Sequence, residues 1–174
     1  MLKINFNHSN QKKILILDFD LTLTDIHTRG RINDNLLYWN SNDNFNLIIN
    51  TLQIMKNSGN WKIYIVSRGI ESDIKNYLKK LNVIELFDNV YGANDQTHLS
   101  RPTYIWAKYK VEYIEKIKTQ NNLESNNIFY IDDTIENITE AKKAGYSNSI
   151  LLPDIGTSSI MLTSILDKIY KSNN

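Results

Sequence analysis

The chain alternates between short, wholly apolar runs and longer stretches in which apolar residues recur every three or four positions. Ile14-Leu15-Ile16-Leu17 follows Lys12-Lys13 and stops abruptly at Asp18. A run apolar on both faces suits a buried strand of a parallel sheet. Trp61 to Val66, Asn127 to Ile131 and Ser149 to Leu152 have the same character, and Asn89-Val90-Tyr91, closed by Gly92, is a weaker example. Helical spacing lies between them. Asn46 to Met55 carries Leu47, Ile48, Thr51, Leu52 and Met55 and stops at Ser58-Gly59. Ile70 to Leu81 puts Ile70, Ile74, Tyr77, Leu78 and Leu81 on one face. Thr103 to Ile117 and Ile135 to Ala144 are further helices, the second closed by Gly145 just past its last turn. A last helix, roughly Ser158 to Tyr170, pairs apolar residues at 161/162, 165/166 and 169/170.

Strands alternating with helices predict right-handed βαβ units, hence an α/β domain with a parallel sheet of about five strands covered on both faces. Residues 1–12 read as a polar N-terminal segment, 13–171 as the domain and 172–174 as a tail. In such sheets ligands bind beyond the carboxyl ends of the strands. The polar residues that follow the apolar runs are Asp18 and Asp20, Ser67, and Asp132 with Asp133. Every one of these strand ends presents a carboxylate or a hydroxyl.

Composition narrows the chemistry by exclusion. A length of 174 residues suits one domain, and 41% hydrophobic residues suffice for a core. Lys plus Arg number 20 against 19 Asp plus Glu, which gives no chain-wide argument for nucleic acid or an anionic membrane. There are no cysteines, so disulfides and thiol nucleophiles are excluded. His8, His27 and His98 are scattered, which argues against a histidine-built zinc site. No apolar run is long enough to span a membrane, and Met1 to Lys13 lacks a signal-type core, so the expected location is intracellular and cytoplasmic.

Asp18-Phe19-Asp20-Leu21-Thr22 sets two carboxylates two positions apart, on one side of an extended backbone. Like charges this close raise each other's pKa unless a cation or donors offset them, and Mg²⁺ favours such oxygens. A turn or helix cap would use the same residue types. Ser67, before Arg68-Gly69, could hold a phosphoryl oxygen or serve as the N-cap of the next helix. Adjacent acids at the end of a buried strand, as at Asp132-Asp133, call for a counter-ion. Lys110 could balance them, with Lys108 the competing candidate.

The ordered set LILDFDLTLT, IYIVSRG, Lys110 and FYIDDTIEN resembles the haloacid dehalogenase (HAD) superfamily of phosphohydrolases, over about residues 13–152. The stretch SRGIESDIKNYLKKLNVIELFDNVYGA is similar to the helix and third strand that follow the family's second motif. The resemblance implies a single Rossmann-like domain and an aspartyl-phosphate mechanism. Asp18 would be the nucleophile and Asp20 the acid and then the base. Ser67 and Lys110, with Arg68, would hold the phosphoryl group. Mg²⁺ would be held by Asp18, the backbone carbonyl of Asp20 and Asp133, with Asp132 and Asn137 in support. Thr22 would fix the turn. Dehalogenases of the family lack a carboxylate at the position of Asp20, so a phosphatase or phosphotransferase is implied.

The intervals between motifs leave no room for a cap domain, and similar capless proteins often act on macromolecules. The loops Asp25 to Asn33 and Ala93 to Arg101 contribute His27, Arg29, Arg31, His98 and Arg101. As a group these donors could grip a phosphopeptide, with Arg29 and Arg101 binding substrate and tyrosine phosphate fitting an uncapped site. The expected partner is a phosphorylated substrate such as a phosphoprotein. A nucleotide or polynucleotide-end phosphatase is the alternative. A receiver-type signalling module combines similar groups, but there the acidic pair comes first and the Lys last.

Overall fold

In the computed structural model, which describes residues 12–24, 27–28, 43–94, 102–153 and 158–173, each apolar run is a strand. They are β1 (Lys13–Leu17), β2 (Trp61–Ile70), β3 (Asn89–Ala93), β4 (Ile128–Asp132) and β5 (Ser149–Leu151). The helices are α1 (Asp43–Asn57), α2 (Glu71–Lys80), α3 (Thr103–Asn121), α4 (Ile135–Lys143) and α5 (Ser158–Ser172). All strand pairs are parallel, in the order β3-β2-β1-β4-β5. The chain builds outward from β1 to β3, then returns to β4 on the other side of β1. The reversal opens a crevice at the carboxyl ends of β1 and β4, where Leu17 pairs with Ile131.

Side-chain alternation divides the core between the two faces. Leu15, Leu17, Ile63, Ile65, Val90 and Ile131 pack with α1, α2 and α5 through Ile48, Leu52, Ile74, Leu78 and Leu166. Ile14, Ile16, Tyr64, Val66 and Tyr130 face the opposite way, toward Ile114 and Ile117 of α3 and Ile138 and Ala141 of α4. Ile14 to Leu17 are each 0% exposed, as expected of a central strand. Burying such a side chain contributes about 1.5–3 kcal/mol.

Two boundaries differ from the apolar pattern, each for a local reason. Helix α3 runs a full turn past Ile117 through polar residues, and left-handed Asn122 (φ 51°) ends it by donating to the carbonyls of Lys118 and Thr119. Strand β2 continues past Val66 to Ile70, with a register shift against β3 between those two residues. Ser67 is therefore not a helix cap; Ile70 occupies the N-cap position of α2. Residues 24–42 and 94–102, the connections in which a cap could be inserted, are too short for one. Among the described residues, no helix is long and apolar enough to cross a membrane.

Candidate active site

Strand β1 ends at Leu17, and the N–H of Asp18 donates to the Ile131 carbonyl at 3.0 Å, which ties the two strand ends together. The backbone then coils over residues 19–23, with Leu21 at φ 55°, a left-handed conformation unusual for a non-glycine residue. The coil is closed by Thr24, whose N–H and hydroxyl both donate to the Phe19 carbonyl, at 2.9 and 3.2 Å. The turn had been expected to rest on Thr22. That hydroxyl is instead fully buried with no hydrogen-bond partner.

Beside Asp18, the ammonium of Lys110 lies between two carboxylates, 2.9 Å from Asp18 Oδ1 and 2.7 Å from Asp132 Oδ2. All three residues are buried. Asp132 also accepts from Tyr130 Oη, from the Thr134 N–H at 2.8 Å and from Asn137 Nδ2 at 2.9 and 3.0 Å. So many donors fix its orientation. Lys108, the competing lysine, is exposed.

Oxygens of Asp18, Asp132 and Asp133 lie within 4.8 Å of one another. Burial, with Asp132 and Asp133 adding to it and Lys110 opposing, pushes the Asp18 carboxyl up to about 8. The sequence had suggested Asp20 as the neighbour responsible, but Asp20 is not among these causes. Burial works against the Lys110 ammonium, yet Asp132 and Asp18 outweigh it and hold Lys110 above its ordinary value. A hard divalent cation fits this all-oxygen donor set, because it would return Asp18 to the ionised form. Asn137 Oδ1, buried with no hydrogen-bond partner, adds an acceptor at the same cluster.

Ser67 lies in the bulged end of β2, 2% exposed, its hydroxyl accepting from the Gly69 N–H at 3.1 Å. Ser67, Arg68 and Gly69 share a cavity of about 520 Å³ with Asp18, Asp20, Lys110, Asp133 and Asn137. All the motif residues named from the sequence as nucleophile, acid, phosphoryl holders and metal ligands thus meet at one place, with Asp132 just beneath.

Asp20 departs from expectation in its direction. Its carboxylate does not join Asp18 in the acidic cluster. Thr28 donates its N–H to Oδ2 at 3.0 Å, its hydroxyl lies 2.8 Å from both oxygens, and His27 Nδ1 is 2.9 Å from Oδ2. The backbone leaves the strand at Asp18 and coils from Phe19 on, so the extended geometry on which a shared direction depended is not kept. His27, read from the sequence as one loop donor among several, is engaged with Asp20. Arg29, Arg31, His98 and Arg101 lie outside the described residues.

Four participants were not named from the sequence. Trp106 and Glu136 line the cavity, Thr28 holds Asp20, and Tyr130 bonds Asp132. Only Tyr130 was accessible in principle, since residues two apart in a strand share a face.

The sequence pattern of haloacid dehalogenase-like hydrolases matches residues 26–150. The chain belongs to this family. Among solved structures, the HAD domain of effector protein Lem4 from Legionella pneumophila is 17% identical with a TM-score of 0.61, over 95% of this chain and 97% of that one. A HAD-superfamily hydrolase from Ehrlichia chaffeensis is 17% identical with a TM-score of 0.55, over 92% and 99%. A phosphoserine phosphatase, as a phospho-aspartyl intermediate analogue, is 14% identical with a TM-score of 0.56, over 93% and 99%. The chain is thus a capless hydrolase of this family, with the fold seen in phosphatases. No curated protein matches the sequence.

Proposed function

We propose that the protein is a Mg²⁺-dependent phosphomonoesterase that works through an aspartyl-phosphate. The observation that carries this reading is the buried Asp18 carboxylate, 2.9 Å from Lys110 and grouped with Asp132 and Asp133 in a cavity that also contains Ser67. A carboxylate needs no activating base, unlike a hydroxyl nucleophile. An Asp18 oxygen attacks phosphorus, the ester P–O bond breaks, and Asp20 gives its proton to the departing oxygen. A water then attacks the same phosphorus, Asp20 takes the water's proton, and the Asp18–phosphoryl bond breaks to release inorganic phosphate. Lys110, the Ser67 hydroxyl and the N–H groups of the β2 bulge hold the phosphoryl oxygens as charge develops on them. Mg²⁺, held by Asp18 and Asp133 with the Asp20 carbonyl, and supported by Asp132 and Asn137, would supply charge neutralisation at the phosphoryl group. Arg68, on the cavity wall, contributes a further cation.

The substrate we propose is a phosphoprotein, with tyrosine phosphate within reach of an uncapped site. The short intervals between the motifs, which leave no room for a cap, and the arginines Arg29, Arg31 and Arg101 of the two sequence loops support it. One experiment tests both levels. With Mg²⁺ present, phosphopeptides, nucleotides and sugar phosphates are compared, and a nitrophenyl phosphate is run alongside with EDTA and with Asp18→Asn. Hydrolysis should be abolished by EDTA and fall by several orders of magnitude in Asp18→Asn. Asp18→Asn within about tenfold of wild type would remove the mechanism. A preference for nucleotides would replace the substrate class while leaving the mechanism standing.

A further inference from the structure

Asp20 is gripped from one side by two consecutive residues that the reaction scheme above does not employ. The Thr28 N–H and hydroxyl and the His27 ring all reach its carboxylate, at 2.8–3.0 Å. Hydrophobic burial does not account for the His27 contact, because that side chain is 64% exposed while the Asp20 side chain is 14% exposed. Nor does the Lys110–Asp18–Asp132 network need these contacts; it closes through Tyr130, Thr134 and Asn137.

We propose that Thr28, with His27 beside it, is the positioning residue for Asp20, an inference that rests on the acid–base reading of Asp20. A carboxyl that protonates a leaving oxygen must stay within hydrogen-bond reach of it, and a side chain turning about two torsions spends much of its time elsewhere. Donors from the 27–28 segment remove that freedom. The residue type matters as well. A group that works as acid and then as base alternates between protonated and ionised forms. A backbone N–H can only donate. A hydroxyl donates to a carboxylate and accepts from a carboxylic acid, so Thr28 can hold Asp20 in both halves of the cycle. Its Oγ1 lies 2.8 Å from each carboxyl oxygen, so either one can be the partner.

The test compares wild type, Thr28→Val, Thr28→Ser and Asp20→Asn in the full chain with Mg²⁺, on an alkyl phosphate and a nitrophenyl phosphate. kcat/KM reports only the steps up to departure of the leaving group, and a nitrophenolate leaves without a proton. Thr28→Val should lower kcat/KM for the alkyl phosphate by about tenfold or more and leave it within about twofold for the nitrophenyl ester. kcat should fall on both substrates, because hydrolysis of the phosphoenzyme needs the same carboxylate. Thr28→Ser should restore the wild-type pattern. Equal losses of kcat/KM on both substrates would reassign Thr28 to the fold. An undisturbed Thr28→Val beside a leaving-group-dependent Asp20→Asn would overturn the inference alone. An Asp20→Asn with no leaving-group dependence would overturn the acid–base reading and this inference with it. If melting shows that Thr28→Val does not fold, His27→Ala at its exposed position carries the same comparison, with a smaller loss expected.

Discussion

At the scale of single residues, Lys110 is the side chain on which the site's charge balance turns. It is 2% exposed and sits between two buried carboxylates, so it cannot be removed as a surface lysine can. Stripping the cation from a buried cluster costs about 3–5 kcal/mol. Lys110→Ala should therefore lose nearly all phosphatase activity and also melt at a lower temperature. Lys108→Ala, two positions earlier and exposed, should change stability by no more than about 0.5 kcal/mol and leave kcat near wild type. Melting curves and turnover of a nitrophenyl phosphate for the two variants check this together. Damage confined to Lys108→Ala would contradict the phase of α3 seen here.

Elements matter where two of them approach more closely than side chains allow. A Cβ on Gly92 of β3 would fall 2.5 Å from the Gly69 carbonyl oxygen and 3.0 Å from the Glu71 nitrogen. The obstacle is backbone, so β3 must move away from the bulge that carries Ser67, Arg68 and Gly69. Gly92→Ala should cost about 1–3 kcal/mol and reduce activity by displacing the Ser67 hydroxyl. A Cβ on Gly69 would first meet Ile74 Cδ1 at 3.1 Å, the far end of a side chain that can shift. Gly69→Ala should therefore be milder in stability. Urea denaturation of the pair would show it, and equal losses would mean that the β2–β3 approach is not what constrains this bulge. Gly92 was read from the sequence only as the end of a weak strand, because close contact between two backbones leaves no trace in either segment alone.

For the molecule as a whole, the acidic cluster links stability to pH and to the cation. Asp18 stands at about 8 in the folded, cation-free protein against an ordinary 3.8. The folded state therefore holds a proton that the unfolded chain has released, from about pH 4 to pH 8. Its stabilising effect is fully present below the lower value and is lost as pH rises through the upper one. Lys110, raised above its ordinary 10.5, acts only at higher pH. Without metal, the melting temperature should fall between pH 5 and pH 8.5 by more in wild type than in Asp18→Asn. Mg²⁺ should raise it more at pH 8.5, because binding at low pH must first displace the proton. A Mg²⁺ effect that is equal at both pH values would exclude Asp18 as a ligand.

Among the described residues, alternation of apolar runs and helical spacing was enough for the five strands, the five α-helices and the parallel, doubly covered sheet. Those features follow from local periodicity and from which faces must be buried. The ordered motifs likewise put Asp18, Ser67, Asp132, Asp133 and Asn137 at or just past strand ends, and left Lys110 beside its competitor Lys108. Tertiary structure decided what depends on segments distant in sequence or on a backbone turn that no pattern announces. The coil that begins at Phe19 leaves Asp20 outside the acidic cluster and in the grip of Thr28, eight residues on. The bulge in β2, not a helix cap, presents Ser67. Lys110 prevails over Lys108 because the packing of α3 on the sheet buries one phase of that helix and exposes the other. The height of the Asp18 pKa comes mainly from burial, which exists only once β1 and β4 lie side by side beneath their helices.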